Sequence, residues 1–172
     1  ISHFLDAVNL GTFSAVVLSD YHKGLLNTDN MGAIADICDK RGIPVFCDTK
    51  AILSDWSRSI TAIKINAKEY AAQLAANVKN PWDYCRNLIV TQGGDGIVLF
   101  APDGNERYRA KHGDKDIHVY DTVGCGDSVL AALTIRYLET GDLYKAMDFA
   151  VQVGSLAASR RGVVAVKRED IQ

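Results

Sequence analysis

Asp121-Thr122-Val123-Gly124-Cys125-Gly126-Asp127-Ser128 is the most informative octapeptide of the 172-residue chain. It stands immediately before Ser128–Thr140, where Val129, Leu133 and Tyr137 fall at helical spacing and Gly141 ends the pattern. Two glycines let the backbone approach a ligand closely and turn its amides the same way. A helix starting here adds unpaired N–H groups and the positive end of its dipole. Together they form an anion cradle suited to phosphate or to a charge that develops during reaction. Asp127 would repel an anion if the loop did no more than hold one. It makes sense as the group that takes a proton from a hydroxyl attacking the held phosphorus. The same residues also read as an ordinary helix start, with Asp127 or Ser128 as N-cap and the glycines in a tight turn. The segment is neither a Walker loop, since no Gly-Lys-Ser/Thr follows, nor a dinucleotide fingerprint, since the glycine spacing differs.

Upstream of this octapeptide, short apolar runs alternate with helical patterns. Ala15–Ser19, Val45–Asp48, Ala62–Ile65 and Leu88–Thr91 read as buried strands bounded by turn or polar residues. Asn27–Arg41 carries Met31, Ile34, Ala35 and Cys38 on one helical stripe, with Gly42 as the stop and Pro44 beyond. Asn66–Val78 places Tyr70, Leu74 and Val78 on another. Strands alternating with helices predict an α/β fold with a mostly parallel sheet. Gly96–Ala101, a turn at Asp103-Gly104, and Glu106–Lys111 predict an antiparallel hairpin, extended by Ile117–Tyr120. After the octapeptide, Asp142–Arg160 is helical and rich in small residues, which predicts close packing on a neighbour or a ligand. Val163–Val166 reads as a last short strand, and the whole chain as a single domain, 1–172.

Composition narrows the function classes. A hydrophobic share of 48% excludes general disorder. A net charge of −2 leaves no electrostatic footprint for nucleic acid. No apolar run approaches the length of a membrane span, and no signal peptide is visible, so a cytoplasmic protein is expected. Cys38, Cys47, Cys85 and Cys125 show no metal-ligand spacing and read as buried free thiols. His3, His22, His112 and His118 pair with no nucleophile and read as loop or surface residues, whereas Trp56, Trp82 and Tyr84 read as core-edge packing.

At the octapeptide the chain resembles the ribokinase-like (PfkB) carbohydrate kinases, whose late signature is D-T-x-G-A-G-D, with Cys125 here replacing the usual alanine. The resemblance implies a three-layer α/β/α fold. It also implies that Asp127 is the catalytic base, that the amides of Gly124, Cys125 and Gly126 form the anion hole, and that Asp121 helps form a monovalent-cation (K⁺) site. Lys64-Ile65-Asn66-Ala67-Lys68-Glu69 resembles the N-x-x-E element that positions Mg²⁺ and phosphates, with Glu69 acting on the metal indirectly. The same pair reads independently as a helix N-cap with its capping-box partner. Val90-Thr91-Gln92-Gly93-Gly94-Asp95-Gly96 resembles the family's T-x-G-x-x-G nucleotide loop, through Thr91, Gly93 and Gly96, and also reads as a glycine turn between strands. Ala157-Ala158-Ser159-Arg160-Arg161-Gly162 resembles the helix end bordering the adenine pocket, through Ala158 and Gly162.

Within the family, Ser19-Asp20-Tyr21-His22-Lys23-Gly24 and Asp48-Thr49-Lys50 look most like the heptose-7-phosphate kinases of lipopolysaccharide precursor synthesis, where the second stretch commonly has proline at the Thr49 position. Asp20, Lys23, Asp48 and Lys50 become candidate acceptor-binding residues just after strand ends, where open α/β sheets bind ligands. They also read as solvated loop charges. The expectation is an ATP- and Mg²⁺-dependent sugar kinase, or its C-terminal catalytic part, acting on a small sugar phosphate. A nucleotide-binding module without chemistry is the alternative. The family's glycine-rich sugar-binding signature has no counterpart before Asp20, so an N-terminal part of the fold is expected to be missing. An exposed strand edge and a homodimer are expected with it.

Overall fold

Six strands form one sheet in sequence order: β1 (Val16–Ser19), β2 (Val45–Asp48), β3 (Ala62–Asn66), β4 (Leu88–Thr91), β5 (Ile97–Phe100) and β6 (Glu106–Ala110). The computed structural model describes residues 6–7, 11, 13–76, 78, 80–112, 118–163 and 165–171. The helices are α1 (Thr28–Lys40), α2 (Ala67–Ala75), α3 (Cys125–Thr140) and α4 (Leu143–Ala158). The first four strands run parallel, with Val16 opposite Val45, Phe46 opposite Ala62, and Ile63 opposite Leu88. The sheet also contains antiparallel pairing, and β5 and β6 are joined by a short turn in which Ala101 N–H donates to Asn105 O. The predicted α/β class is therefore the observed one. No helix among the described residues is long and apolar enough to cross a membrane. The chain divides into two compact units, Ile1–Thr91 with Val98–Arg107, and Gln92–Ile97 with Tyr108–Gln172.

In the first unit the expected stripe of α1 is the centre of the core. Met31, Ile34, Ala35 and Cys38 are buried with Val45, Cys47, Ile63, Ile65 and Val90. β3 is buried from Ala62 to Ile65, on both faces, as a parallel strand covered on two sides requires. β1 instead alternates, with Val16 and Leu18 buried and Val17 46% exposed, the signature of a strand covered on one face. Asn27 caps α1 reciprocally with Asn30. Gly42, at φ +68°, closes the other end: its N–H donates to Asp39 O, and Ile43 N–H donates to Cys38 O. This is the Schellman arrangement that an αL glycine permits. Trp82 and Tyr70 stack on Phe100, and Trp56 and Tyr84 pack against the same cluster, as core-edge residues were expected to do.

In the second unit α3 and α4 pack side by side, burying Leu130, Leu133, Ala146, Met147 and Ala150. The small residues of α4 serve this contact, because a Cβ on Gly154 would lie 2.7 Å from Val129 Cγ2. Asp142 caps α4 by accepting from Tyr144 N–H and Lys145 N–H.

Three expectations are corrected. α3 starts at Cys125 rather than Ser128, because Gly124 takes the left-handed conformation that lets the helix begin earlier. His118–Tyr120 is not a strand; the Tyr120 amide donates to Ala158 O instead, and Ile117 lies outside the described residues. Val163, Ala165 and Val166 are not a strand either, and position 164 lies outside the described residues.

The contact at Gly154 is testable. Gly154→Ala is expected to destabilise the fold by about 1–3 kcal/mol through overpacking in denaturant unfolding. Combining it with Val129→Ala should show a favourable coupling of about 0.5 kcal/mol or more. Strict additivity would show that the helices do not meet there.

Candidate functional site

Parallel strands deliver their carboxyl ends to one edge of the sheet, and this edge collects the expected residues that belong to the first unit. Ser19 is paired with Asp48, Asp48 with Lys64, and Asn66 with Thr91, so Asp48, Asn66 and Thr91 end successive strands and Asp20 directly follows the end of β1. Asn66 and Glu69 form a complete capping box: Asn66 Oδ1 accepts from Glu69 N–H at 2.8 Å, and Glu69 Oε2 accepts from Asn66 N–H at 2.8 Å. The capping reading of this pair is thus observed. It spends one carboxylate oxygen of Glu69 on the helix start. Thr91 Oγ1 donates to Ile65 O at 3.5 Å.

Asp20, expected among the acceptor ligands, is largely buried and bonded within the protein. Its Oδ1 accepts from His22 N–H at 2.7 Å and its Oδ2 from Thr49 Oγ1 at 3.0 Å. Asp48 forms an ion pair with Lys64, a lysine buried in the middle of the sheet. Lys23 and Lys50 are exposed. The sequence signal for Lys64 was a lone charge in an apolar strand, and for Thr49 its departure from proline. Gln73 carried no signal at all. It is buried, and it accepts from Leu53 N–H while donating to Ala51 O.

The second unit holds the octapeptide. Gly124 is the N-cap of α3 at φ +78°, ψ −5°, and no side chain caps this helix. Asp127 therefore sits in the first turn of the helix, exposed, instead of serving as the N-cap. An αL residue at this point costs other side chains energy, and a Cβ would also press on Val163 at 3.2 Å. Asp121 folds the approach by accepting from Val123 N–H at 2.9 Å. Cys125 N–H donates to Thr122 O at 3.2 Å, while Ser128 Oγ donates to Gly124 O at 3.0 Å. Burial, helped by the neighbouring Asp121 carboxylate, pushes the Cys125 thiol up, so this sulfur stays protonated at neutral pH. From Asp127 and Ser128 a groove of 540 Å³ runs along α3 past Ala131, Ile135 and Phe149, with mostly apolar walls.

The amides of Tyr120 and Asp121 both donate to Ala158 O, at 2.8 and 3.3 Å. The carbonyl end of α4 and the start of the octapeptide are thereby joined, bringing Ala158 and Asp121 together. Gly162 is exposed at φ +74°, and the neighbouring Arg161 guanidinium lies over the Tyr120 ring, 5.7 Å from its centroid. In the turn around Gly93–Asp95 the two left-handed glycines have different reasons. Gly96, at φ +86°, leaves no room for a side chain, since a Cβ would meet Ala110 O at 2.1 Å. Gly93, at φ +58°, faces open space, so only its backbone angle explains it.

Among the described residues no group of three or more His, Cys, Asp or Glu side chains forms a metal cage. The donor set at the start of α2, one carboxylate and one amide, fits a Mg²⁺ ion that keeps its waters and is held chiefly by phosphates.

Comparison with known proteins agrees with this architecture. The profile of the pfkB family carbohydrate kinases matches residues 3–170. The bifunctional protein HldE of a Nitratiruptor species is 30% identical over 172 residues, covering 93% of this chain and 35% of its own length. HldE of Campylobacter jejuni is 30% identical over 174 residues, covering 93% and 36%. The chain thus spans about a third of the length of these curated relatives. Among solved structures, phosphofructokinase-2 from Escherichia coli in complex with potassium superposes with a TM-score of 0.76 at 19% identity, over 99% of this chain and 59% of that one. Ribokinase from Arabidopsis thaliana, complexed with ribose and ATP, gives 0.73 at 20% identity, over 95% and 55%. The fold is theirs, and with the profile spanning nearly the whole sequence the chain belongs to the pfkB family of carbohydrate kinases.

Proposed function

We propose that the chain carries the nucleotide-binding and phosphoryl-transfer part of an ATP-dependent sugar kinase whose acceptor is a heptose 7-phosphate. The observation that carries the reading is the start of α3, where a left-handed glycine cap and a first-turn carboxylate stand at the end of a 16-residue helix. Cys125 N–H is turned to Thr122 O, whereas the amides that follow it in the first turn have no intrahelical carbonyl to bond, and the helix dipole adds positive potential where a phosphoryl group would carry negative charge. Asp127 accepts the proton of the acceptor hydroxyl as its oxygen bonds to the γ-phosphorus. The bond from that phosphorus to the β-phosphate oxygen breaks, and ADP leaves. Asn66, Glu69, Thr91, Gly93 and Gly96 bind the nucleotide's phosphates, with Ala158 and Gly162 beside the base. When bound, Mg²⁺ neutralises charge on the phosphates, and Glu69 orders its water shell. Asp121 contributes to a monovalent-cation site. The heptose assignment rests on the sequence of the loops after β1 and β2 and is supported by the HldE relatives.

The alternative reading is a nucleotide-binding module that transfers nothing. Titration calorimetry with ATP·Mg²⁺ beside a kinase assay on heptose 7-phosphate separates the two: binding without product supports the module, and product rejects it.

Two substitutions test the assignments. Asp127→Asn is expected to lower turnover about 10²–10⁴-fold while ATP·Mg²⁺ affinity stays within about twofold. Retained turnover would sink the base. Glu69→Gln preserves the capping geometry, so unfolding free energy should change by less than about 0.5 kcal/mol. The Mg²⁺ concentration giving half-maximal rate should nonetheless rise severalfold. An unchanged Mg²⁺ profile would leave Glu69 as a cap alone.

A further inference from the structure

Three buried polar side chains from different parts of the first unit, Asp20, Lys64 and Gln73, converge on one short segment, Asp48–Leu53, that leaves the end of β2. Asp20, just after the end of β1, accepts the Thr49 hydroxyl proton through Oδ2. Lys64, in β3, pairs with Asp48. Gln73, in α2, accepts from Leu53 N–H at 2.8 Å and donates to Ala51 O at 3.0 Å. Thr49 Oγ1 in turn accepts from Ala51 N–H at 3.0 Å. Thr49 and Gln73 are 0% and 1% exposed. Burying polar groups is costly unless each is bonded, and surface loops ordinarily lack such support.

The loop after β1 shares the same node. His22 holds φ +57°, the one positive value outside glycine among the described residues, and its N–H donates to Asp20 Oδ1 at 2.7 Å. A left-handed histidine persists where its surroundings over-determine it. One carboxylate therefore braces a strained turn with one oxygen and the next loop with the other. Asp20 N–H donating to Asp48 O at 2.8 Å completes the tie between the two loops. Out of this braced base each loop presents an exposed cation, Lys23 from the first and Lys50 from the second.

We propose that Thr49 is a positioning residue for the acceptor. Its bond to Asp20 fixes the two loops so that Lys23 and Lys50 meet the phosphate monoester of the sugar. Asp20 acts inside this brace and is not a ligand of the sugar. The proposal rests on the reading of the chain as a sugar-phosphate kinase, and it explains why a threonine is compatible with a segment where the resembled kinases commonly carry proline. The hydroxyl supplies by hydrogen bonding the rigidity that a proline ring supplies covalently.

The test compares the unaltered protein with Thr49→Val, which keeps the shape and removes the hydroxyl, and Thr49→Ser, which keeps the hydroxyl. Asp20→Asn is measured alongside and carries the same expectation if Thr49→Val does not fold. Titration calorimetry is run with heptose 7-phosphate and separately with ATP·Mg²⁺, with phosphoryl transfer assayed on the unaltered protein. Thr49→Val is expected to weaken heptose 7-phosphate binding about tenfold, to change ATP·Mg²⁺ affinity by less than about twofold, and to be rescued by serine. Equal losses for both ligands, no loss for the sugar phosphate, or no sugar-phosphate binding by the unaltered protein would overturn the proposal. Selective loss in a protein that makes no product would remove the kinase reading and leave the positioning role standing. Product formation without selective loss would do the reverse.

Discussion

Parallel pairing of β1 to β4 governs the whole of the first unit. A parallel neighbour cannot be reached by a tight turn, so the chain must cross back over the sheet between strands. Here α1 makes one such return and α2 lies on another. All four strands then end at the same edge, and every loop that leaves a carboxyl end is delivered there. Asp20, Asp48, Asn66 and Thr91 come from four separate stretches of chain and stand at or just after the ends of successive neighbouring strands because of strand direction alone.

That edge is also where the molecule keeps its buried polarity. Lys64 lies in a strand whose other residues up to Ile65 are apolar and buried, and a cation there needs a partner. Direct register pairing with Asp48 supplies one. Thr49 and Gln73 saturate backbone groups of the following segment in the same way. The second unit solves a different problem with backbone alone. Gly124 accepts a left-handed conformation, the helix begins without a side-chain cap, and Asp127 is left in the first turn. Ser128 turns its hydroxyl back to Gly124 O and so takes no part in capping.

Legibility in the sequence followed periodicity. The α1 stripe, the limits of β2 and β4, and the stops at Gly42 and Gly141 were all readable, because spacing and glycine conformations are local properties. The capping box at Asn66 and Glu69 was readable for the same reason. The misread strands have one cause, which is that local β-propensity says nothing about a partner. Val119 and Tyr120 look like strand residues, yet the Tyr120 amide is taken by Ala158 O at the end of α4. Gln73 was invisible, since a glutamine on a helix is ordinarily a surface residue, and only burial against Ala51 and Leu53 makes it a strut.

The α/β class, the elements of the first unit and the family resemblance at the octapeptide were all written in the order of residues, because they depend on spacing and on what glycine backbones can do. Folding in three dimensions was needed to make Asp20 a brace between loops, Lys64 a buried partner of Asp48, and Gly96 a requirement of the close approach of Ala110. Those roles are set by atoms brought together from distant positions, and hydrogen bonding and steric exclusion act on distance in space, to which spacing along the chain is no guide.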